Sequence, residues 1–170
     1  MVWFEKPTKI LDDSTAPLYR WYPDGKMNIC YNAVDRHVDN GFGDQPALIF
    51  DSAYTGAKAK YTYKQMQNHV GRIATVLKNK FGVVKGDRVI IYMPMIPQAI
   101  FCMLACARIG AIHSVVFGGF AAPELSNRLD DSTPKLIITA SCGIEPNKVI
   151  HYVPIIDQAC ELSTKNETPI

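Results

Sequence analysis

The rhythm of apolar positions along this chain changes near residue 46. Before it, aromatic, Pro and Gly residues crowd together in WF, APLYRWYPDGK and GFGDQP, around one run with helical spacing from about Asn28 to Val38. That composition predicts a segment wrapping a core rather than forming one. From Ala47 onward, short β-branched or aromatic runs alternate with amphipathic runs of helical period. This alternation predicts an α/β fold, a mostly parallel sheet with covering helices.

The expected elements begin with strands ALIFD (47–51) and KYTY (60–63), joined by the hairpin-like loop SAYTGAKA. A helix over about Tyr63 to Lys80 places Met66, Val70, Ile73, Ala74 and Leu77 on one apolar face; Thr62 and Gln65 stand at capping-box spacing, and Gly82 ends the run. The expected order then continues with strand Arg88 to Met93, a helix from Pro97 to Ile109 stopped by Gly110, and strand Ile112 to Phe117. A helix from about Pro123 to Asp131, strand Lys135 to Ala140 and a last helix over Val153 to Leu162 complete it. No internal repeat or low-complexity tract interrupts this order.

Three consecutive strand-helix-strand passages follow from that reading. Such crossovers are right-handed and set consecutive strands parallel. Ligands of open sheets gather beyond the carboxyl ends of the strands, which directs attention to YMPM, FGGF and SCGIEPNK.

Charge narrows the picture by exclusion. With 18 basic and 16 acidic residues scattered over 170, the net charge of +2 forms neither a basic stripe for nucleic acid nor an acidic tail. The five cysteines, Cys30, Cys102, Cys106, Cys142 and Cys160, have no CxxC spacing, which predicts reduced, structural thiols. His37, His69, His113 and His151 lack the mutual spacing of a metal site, so no metal ligands are predicted. The start, MVWFEKPTKILDD, has the character of neither a secretory signal nor an organelle presequence. Val89 to Ala107 holds no charged residue and could cross a bilayer by length, yet Pro94 and Pro97 divide it into a buried strand and a buried helix.

Two motifs could carry chemistry, and each has a plainer alternative. In FGGF (117–120), paired glycines after a strand would let the backbone approach a phosphate or a thioester-bearing arm; a tight turn without ligand fits as well. In SCGIEPNK (141–148), a compact loop with Asn147 able to turn at positive φ presents Lys148, a point charge for a terminal phosphate or simply a solvated cation. No GxxxxGK[ST], GxSxG or HExxH motif occurs.

The run IYMPMIPQAIFCMLACARIGAIHSVVFGGFA (91–121) closely resembles the signature block of acetyl- and propionyl-CoA synthetases, members of the adenylate-forming superfamily. NICYNAVDRHVD (28–39), GDQPALIFDS (43–52), KGDRVIIYMPM (85–95) and TASCGIEPNK (139–148) extend the resemblance over nearly the whole chain. CYNAVDRH and the GIEP loop are more similar to the propionate-preferring ligases than to the acetate enzymes. The resemblance implies an incomplete amino-terminal part of an adenylate-forming fold: a wrapping segment of acetyl-CoA synthetase type over 1–45, then a partial AMP-binding domain over 46–170.

It also implies a reaction. A carboxylate oxygen attacks the α-phosphorus of ATP, releasing pyrophosphate, and the CoA sulfur then attacks the acyl carbon, releasing AMP. Mg²⁺ and cations stabilise the phosphate oxygens in both steps. By the same resemblance Glu145, Pro146, Asn147 and Lys148 hold the nucleotide end of CoA, with Phe117, Gly118 and Gly119 as the neighbouring wall. Asn147 and Lys148 depart from the family's usual Glu-Pro-Gly-Arg, and lysine lacks the planar fork that grips phosphate with two bonds, which predicts a looser hold on CoA.

The family's phosphate loop, acyl pocket and mobile carboxyl-terminal domain have no counterpart in these residues. These 170 residues alone are therefore expected to be inactive, and no catalytic residue is assigned. A piece of a longer ligase accounts for the motifs and for the abrupt tail STKNETPI; a non-catalytic product that binds CoA weakly, or joins other chains through apolar faces, is the alternative. A dinucleotide-binding oxidoreductase would need a glycine fingerprint and an acidic ribose partner that are absent. The expected partners are small molecules, without nucleic acid or a membrane span, in the mitochondrial matrix by resemblance or the cytosol by default.

Overall fold

The computed structural model describes residues 1–163, so all but the first residue of the tail STKNETPI lies outside the described residues. The wrapping segment contains two short strands, β1 (Leu11–Asp12) and β2 (Arg20–Trp21), paired antiparallel. The helix expected near Asn28 to Val38 runs on to Phe42 and winds mostly as wide π-helical turns, over Tyr31–Asp35 and Val38–Phe42. Gly41, at φ +83°, breaks it in a conformation that glycine adopts without steric cost.

An antiparallel hairpin of β3 (Pro46–Asp51) and β4 (Lys58–Thr62) leads into α1 (Tyr63–Asn79). The capping box forms as the spacing predicts: the Gln65 amide donates to Thr62 Oγ1 at 3.2 Å, and the Thr62 amide donates to Gln65 Oε1 at 2.9 Å. At the other end Gly82 takes φ +62°, and the Val83 amide reaches back to the Leu77 carbonyl at 3.0 Å. Then follow β5 (Arg88–Met93), α2 (Pro97–Ile109), β6 (Ile112–Phe117), α3 (Ala122–Ser132) and β7 (Leu136–Thr139). Gly110 stops α2 in the left-handed conformation.

The fold is mixed α/β, as the alternation predicts. The parallel sheet has the order β6-β5-β7, and its three strands point the same way. One expectation fails: the passage through α1 does not join two strands of this sheet, because β4 pairs with β3 in a separate hairpin. Two crossovers, not three, build the sheet.

The central strand explains the uncharged run. Val89, Ile90, Ile91 and Tyr92 are all fully buried, and because alternate residues face opposite ways, they supply two cores. Val89 joins α1, α2 and the helical wrap through Val70, Leu77, Phe101, Cys106, Cys30 and Val34. Ile90 and Tyr92 join α3 and the last helix through Leu125, Leu129 and Ala159. Among the described residues no helix is long and apolar enough to cross a membrane.

After β7 the expectation needs a second correction. SCGIEPNK is not a compact loop. It is most of a hairpin, β8 (Cys142–Glu145) and β9 (Lys148–His151), whose two connecting residues are Pro146 and Asn147. Asn147 does not take positive φ, so the turn does not use the freedom expected of it. The last helix, α4 (Tyr152–Leu162), starts one residue earlier than expected and so takes in Tyr152.

Candidate functional site at the carboxyl edge of the sheet

The carboxyl ends of β5, β6 and β7 lie at one edge, and the segments that leave them are held together by two tyrosines. A tyrosine in a fully buried strand needs a partner for its hydroxyl. Tyr92 finds one in the FGGF turn, donating to the Phe120 carbonyl at 2.6 Å, with the Gly118 carbonyl at 3.4 Å. Thr139, at the end of β7, donates from its hydroxyl to the Tyr92 carbonyl at 2.8 Å. The turn itself is closed by the Phe120 amide on the Phe117 carbonyl at 3.0 Å.

Tyr152 is the second. It is 2% exposed, its ring centroid lies 4.8 Å from that of Tyr92, and its backbone amide donates to the Ser141 carbonyl at 3.2 Å. A Cβ on Gly118 would meet the Tyr152 hydroxyl oxygen at 2.5 Å and the Met93 carbonyl at 3.1 Å. A Cβ on Gly143 would collide with the same hydroxyl oxygen and meet Cζ at 3.0 Å. Burial pushes both phenols above their ordinary range, and for Tyr152 the Glu145 carboxylate adds to the effect.

The sequence-derived residues fall on this frame as follows. Phe117 ends β6 with its ring exposed, edge-on to Phe120 at 5.7 Å. Gly118 is buried; Gly119 is exposed, and a Cβ there would strike the Phe117 ring. Glu145 ends β8, Pro146 and Asn147 make the turn, and Lys148 opens β9. Lys148 Nζ lies 3.3 Å from Glu145 Oε2, so the cation read as either solvated or phosphate-seeking has a carboxylate partner across the hairpin.

The structure thus brings the FGGF turn and the hairpin onto one side chain that sequence reasoning passed over. The glycines of the two post-strand segments were visible in the sequence, but nothing local tied them to Tyr152, which precedes the expected start of the last helix. Two surface concavities, along α1 at Lys64, Gln67 and Arg72 and beside the α2–β6 turn at Asn28, Lys85 and Gly110, lie away from this edge. No group of three or more His, Cys, Asp or Glu residues able to hold a metal stands among the described residues.

Residues 34–169 match the AMP-binding enzyme family, and residues 1–33 match the acetyl-coenzyme A synthetase N-terminus. The human protein named acyl-CoA synthetase short-chain family member 3, mitochondrial, is 54% identical over 160 residues, covering 94% of this chain and 23% of the relative. The acetyl-coenzyme A synthetase of Wolinella succinogenes is 50% identical over 157 residues, covering 92% of this chain and 24% of the relative. That of Pasteurella multocida is 46% identical over 166 residues, covering 97% and 25%. The chain spans about a quarter of the length of these relatives. It belongs to the AMP-binding enzyme family, in the branch of the short-chain acyl-CoA and acetyl-CoA synthetases, and carries the amino-terminal region of that branch.

Proposed function

We propose that the complete protein containing these residues joins a short-chain carboxylate to CoA through an acyl-adenylate, with ATP as co-substrate, Mg²⁺ as its counter-ion and AMP as product. The observation that carries this reading is the family match through residues 34–169, together with 54% identity to a relative named as a short-chain acyl-CoA synthetase. Propionate is the substrate of choice, with acetate and butyrate as the competitors; the CYNAVDRH and GIEP segments support that order. The word mitochondrial in the human relative's name supports a place in the mitochondrial matrix.

The CoA nucleotide is held, in this reading, by Glu145, Pro146, Asn147 and Lys148, with Phe117, Gly118 and Gly119 beside it. Support comes from where these residues stand, beyond the carboxyl ends of parallel strands, where ligands of such sheets collect. The exposed ammonium of Lys148 can exchange Glu145 for a phosphate without moving the backbone. The division near residue 45 is kept as the place where the apolar rhythm changes, though the two family models meet at residues 33 and 34.

AMP release by the complete protein, dependent on both acid and CoA, tests the activity, and its absence with all three acids refutes it. The ratio of kcat/KM among propionate, acetate and butyrate tests the substrate order. Lys148→Ala should raise the KM for CoA while leaving that for dephospho-CoA unchanged. Equal KM values for wild type and variant with CoA would remove Lys148 from the site.

A further inference from the structure

We infer that Tyr152 is the positioning residue of the CoA site, a strut whose hydroxyl sets the spacing between the FGGF turn and the β8–β9 hairpin; this rests on the reading of those segments as the CoA-binding walls. Neither segment is fixed to the other by sequence proximity. Gly118 follows β6, Gly143 lies in β8, and α3 and β7 intervene. Both nonetheless have their side-chain position occupied by one oxygen atom, the Tyr152 hydroxyl, at 2.5 Å from the site of a Gly118 Cβ and closer still for Gly143. Real Cβ atoms do not approach oxygen so closely, so each glycine is required by the same tyrosine.

The strut is itself held rigidly. Tyr152 is 2% exposed in the first turn of α4 and rests on Tyr92, whose hydroxyl ties the FGGF turn through the Phe120 carbonyl at 2.6 Å. The Met93 carbonyl stands 3.1 Å from the same Cβ position, so the end of β5 and the strut both crowd Gly118. The hairpin is pinned by the strut and by the Tyr152 amide on the Ser141 carbonyl at 3.2 Å. Lys148 and Glu145 sit at the hairpin's tip, so a shift at Gly143 is passed along β8 to the groups read as meeting the nucleotide. Binding groups on rigid elements keep their geometry only while the supporting contacts do.

The experiment is a mutant cycle in the complete synthetase, with Lys148→Ala as a reference and the KM values for CoA, ATP and carboxylate measured separately. Gly143→Ala should raise the KM for CoA by roughly tenfold, since a binding site loses its geometry when its supporting contacts are displaced, with the KM values for ATP and carboxylate unchanged. Tyr152→Phe, nearly isosteric and expected to fold, should raise the KM for CoA alone by a few-fold. The double variant should bind CoA better than Gly143→Ala, because without the hydroxyl the nearest ring atom lies 3.0 Å from the new Cβ.

The strut is overturned if Lys148→Ala raises the KM for CoA while Gly143→Ala and Tyr152→Phe leave it unchanged. Failure of the double variant to recover, or a parallel rise in all three KM values, overturns it too. Should Gly143→Ala fail to accumulate, Tyr152→Phe alone decides by its KM for CoA. A Lys148→Ala enzyme indistinguishable from wild type with CoA would instead bring down the CoA reading of the site, and the strut with it.

Discussion

Two ion pairs mark the two halves of this molecule. In the wrapped half, Arg108 Nη2 reaches both oxygens of Asp35 at 2.9 and 2.6 Å, and Gln67 donates to the same carboxylate at 2.9 Å. Asp35 is 9% exposed, and Arg108 Nε is buried without a partner. At the candidate site, Lys148 and Glu145 face each other at 3.3 Å with side chains 64% and 43% exposed. The first pair joins the helical wrap to the last turn of α2 and to α1, and water reaches its members far less than those of the second. In the second the ammonium of Lys148 is largely exposed and Glu145 is half-exposed, so water reaches both members. The charge of Asp35 and Arg108 serves the fold; that of Lys148 is the one the proposed CoA reading would use.

Breaking the first pair gives the largest expected effect. Asp35→Ala leaves Arg108 partly buried with no counter-charge, and removing one member of a buried pair costs about 3 kcal/mol or more. Urea unfolding should show that loss, whereas a change under about 1 kcal/mol would place the pair with the exposed one. Thiol chemistry draws the same line. Burial pushes Cys102 and Cys106 up to about 11, leaving roughly one thiolate in a thousand at pH 8. A raised thiol pKa lowers reactivity at every pH below it. Iodoacetamide at pH 8 should therefore label the part-exposed Cys142 well before the buried Cys102 or Cys106. Peptide mass mapping over time checks this, and equal labelling would mean that the wrapped half opens readily.

Tyr92→Phe tests whether the site half has a buried polar bond of its own. It removes the donor to the Phe120 carbonyl and should cost about 1 to 2 kcal/mol in stability. A neutral substitution would mean that water replaces the hydroxyl, and that the FGGF turn is looser than its contacts suggest.

The legibility of the two halves in the sequence also differs, for physical reasons. From β5 to β7 each element falls within about two residues of its expected place, because a central strand buried on both faces must be apolar throughout and because Pro97 and Gly110 bound α2. The hairpin was not legible. Two-residue hairpin turns usually need positive φ, which Pro146 cannot adopt, and strands of four residues carry too little alternation to stand out. The π-helical winding of the wrap was equally hidden, since apolar spacing does not separate its turns from α-helical ones. The two motifs at the carboxyl edge were visible by their glycines, yet what those glycines accommodate, Tyr152, is a tertiary neighbour that no local pattern announces.

The smallest expected effect is the sharpest test of the contrast. Lys148→Met removes one member of an exposed pair whose two side chains are already largely hydrated, and such pairs contribute about 0 to 1 kcal/mol. Stability in urea should change by less than about 0.5 kcal/mol, and the change should vanish in high salt as screening replaces the partner. In the complete protein, on the proposed CoA reading, the same substitution removes the cation that opens β9, so the KM for CoA should rise although the fold is undisturbed. A stability loss near that of Asp35→Ala would mean that Lys148 is fixed in place by the hairpin, and its charge would then serve the fold rather than a ligand.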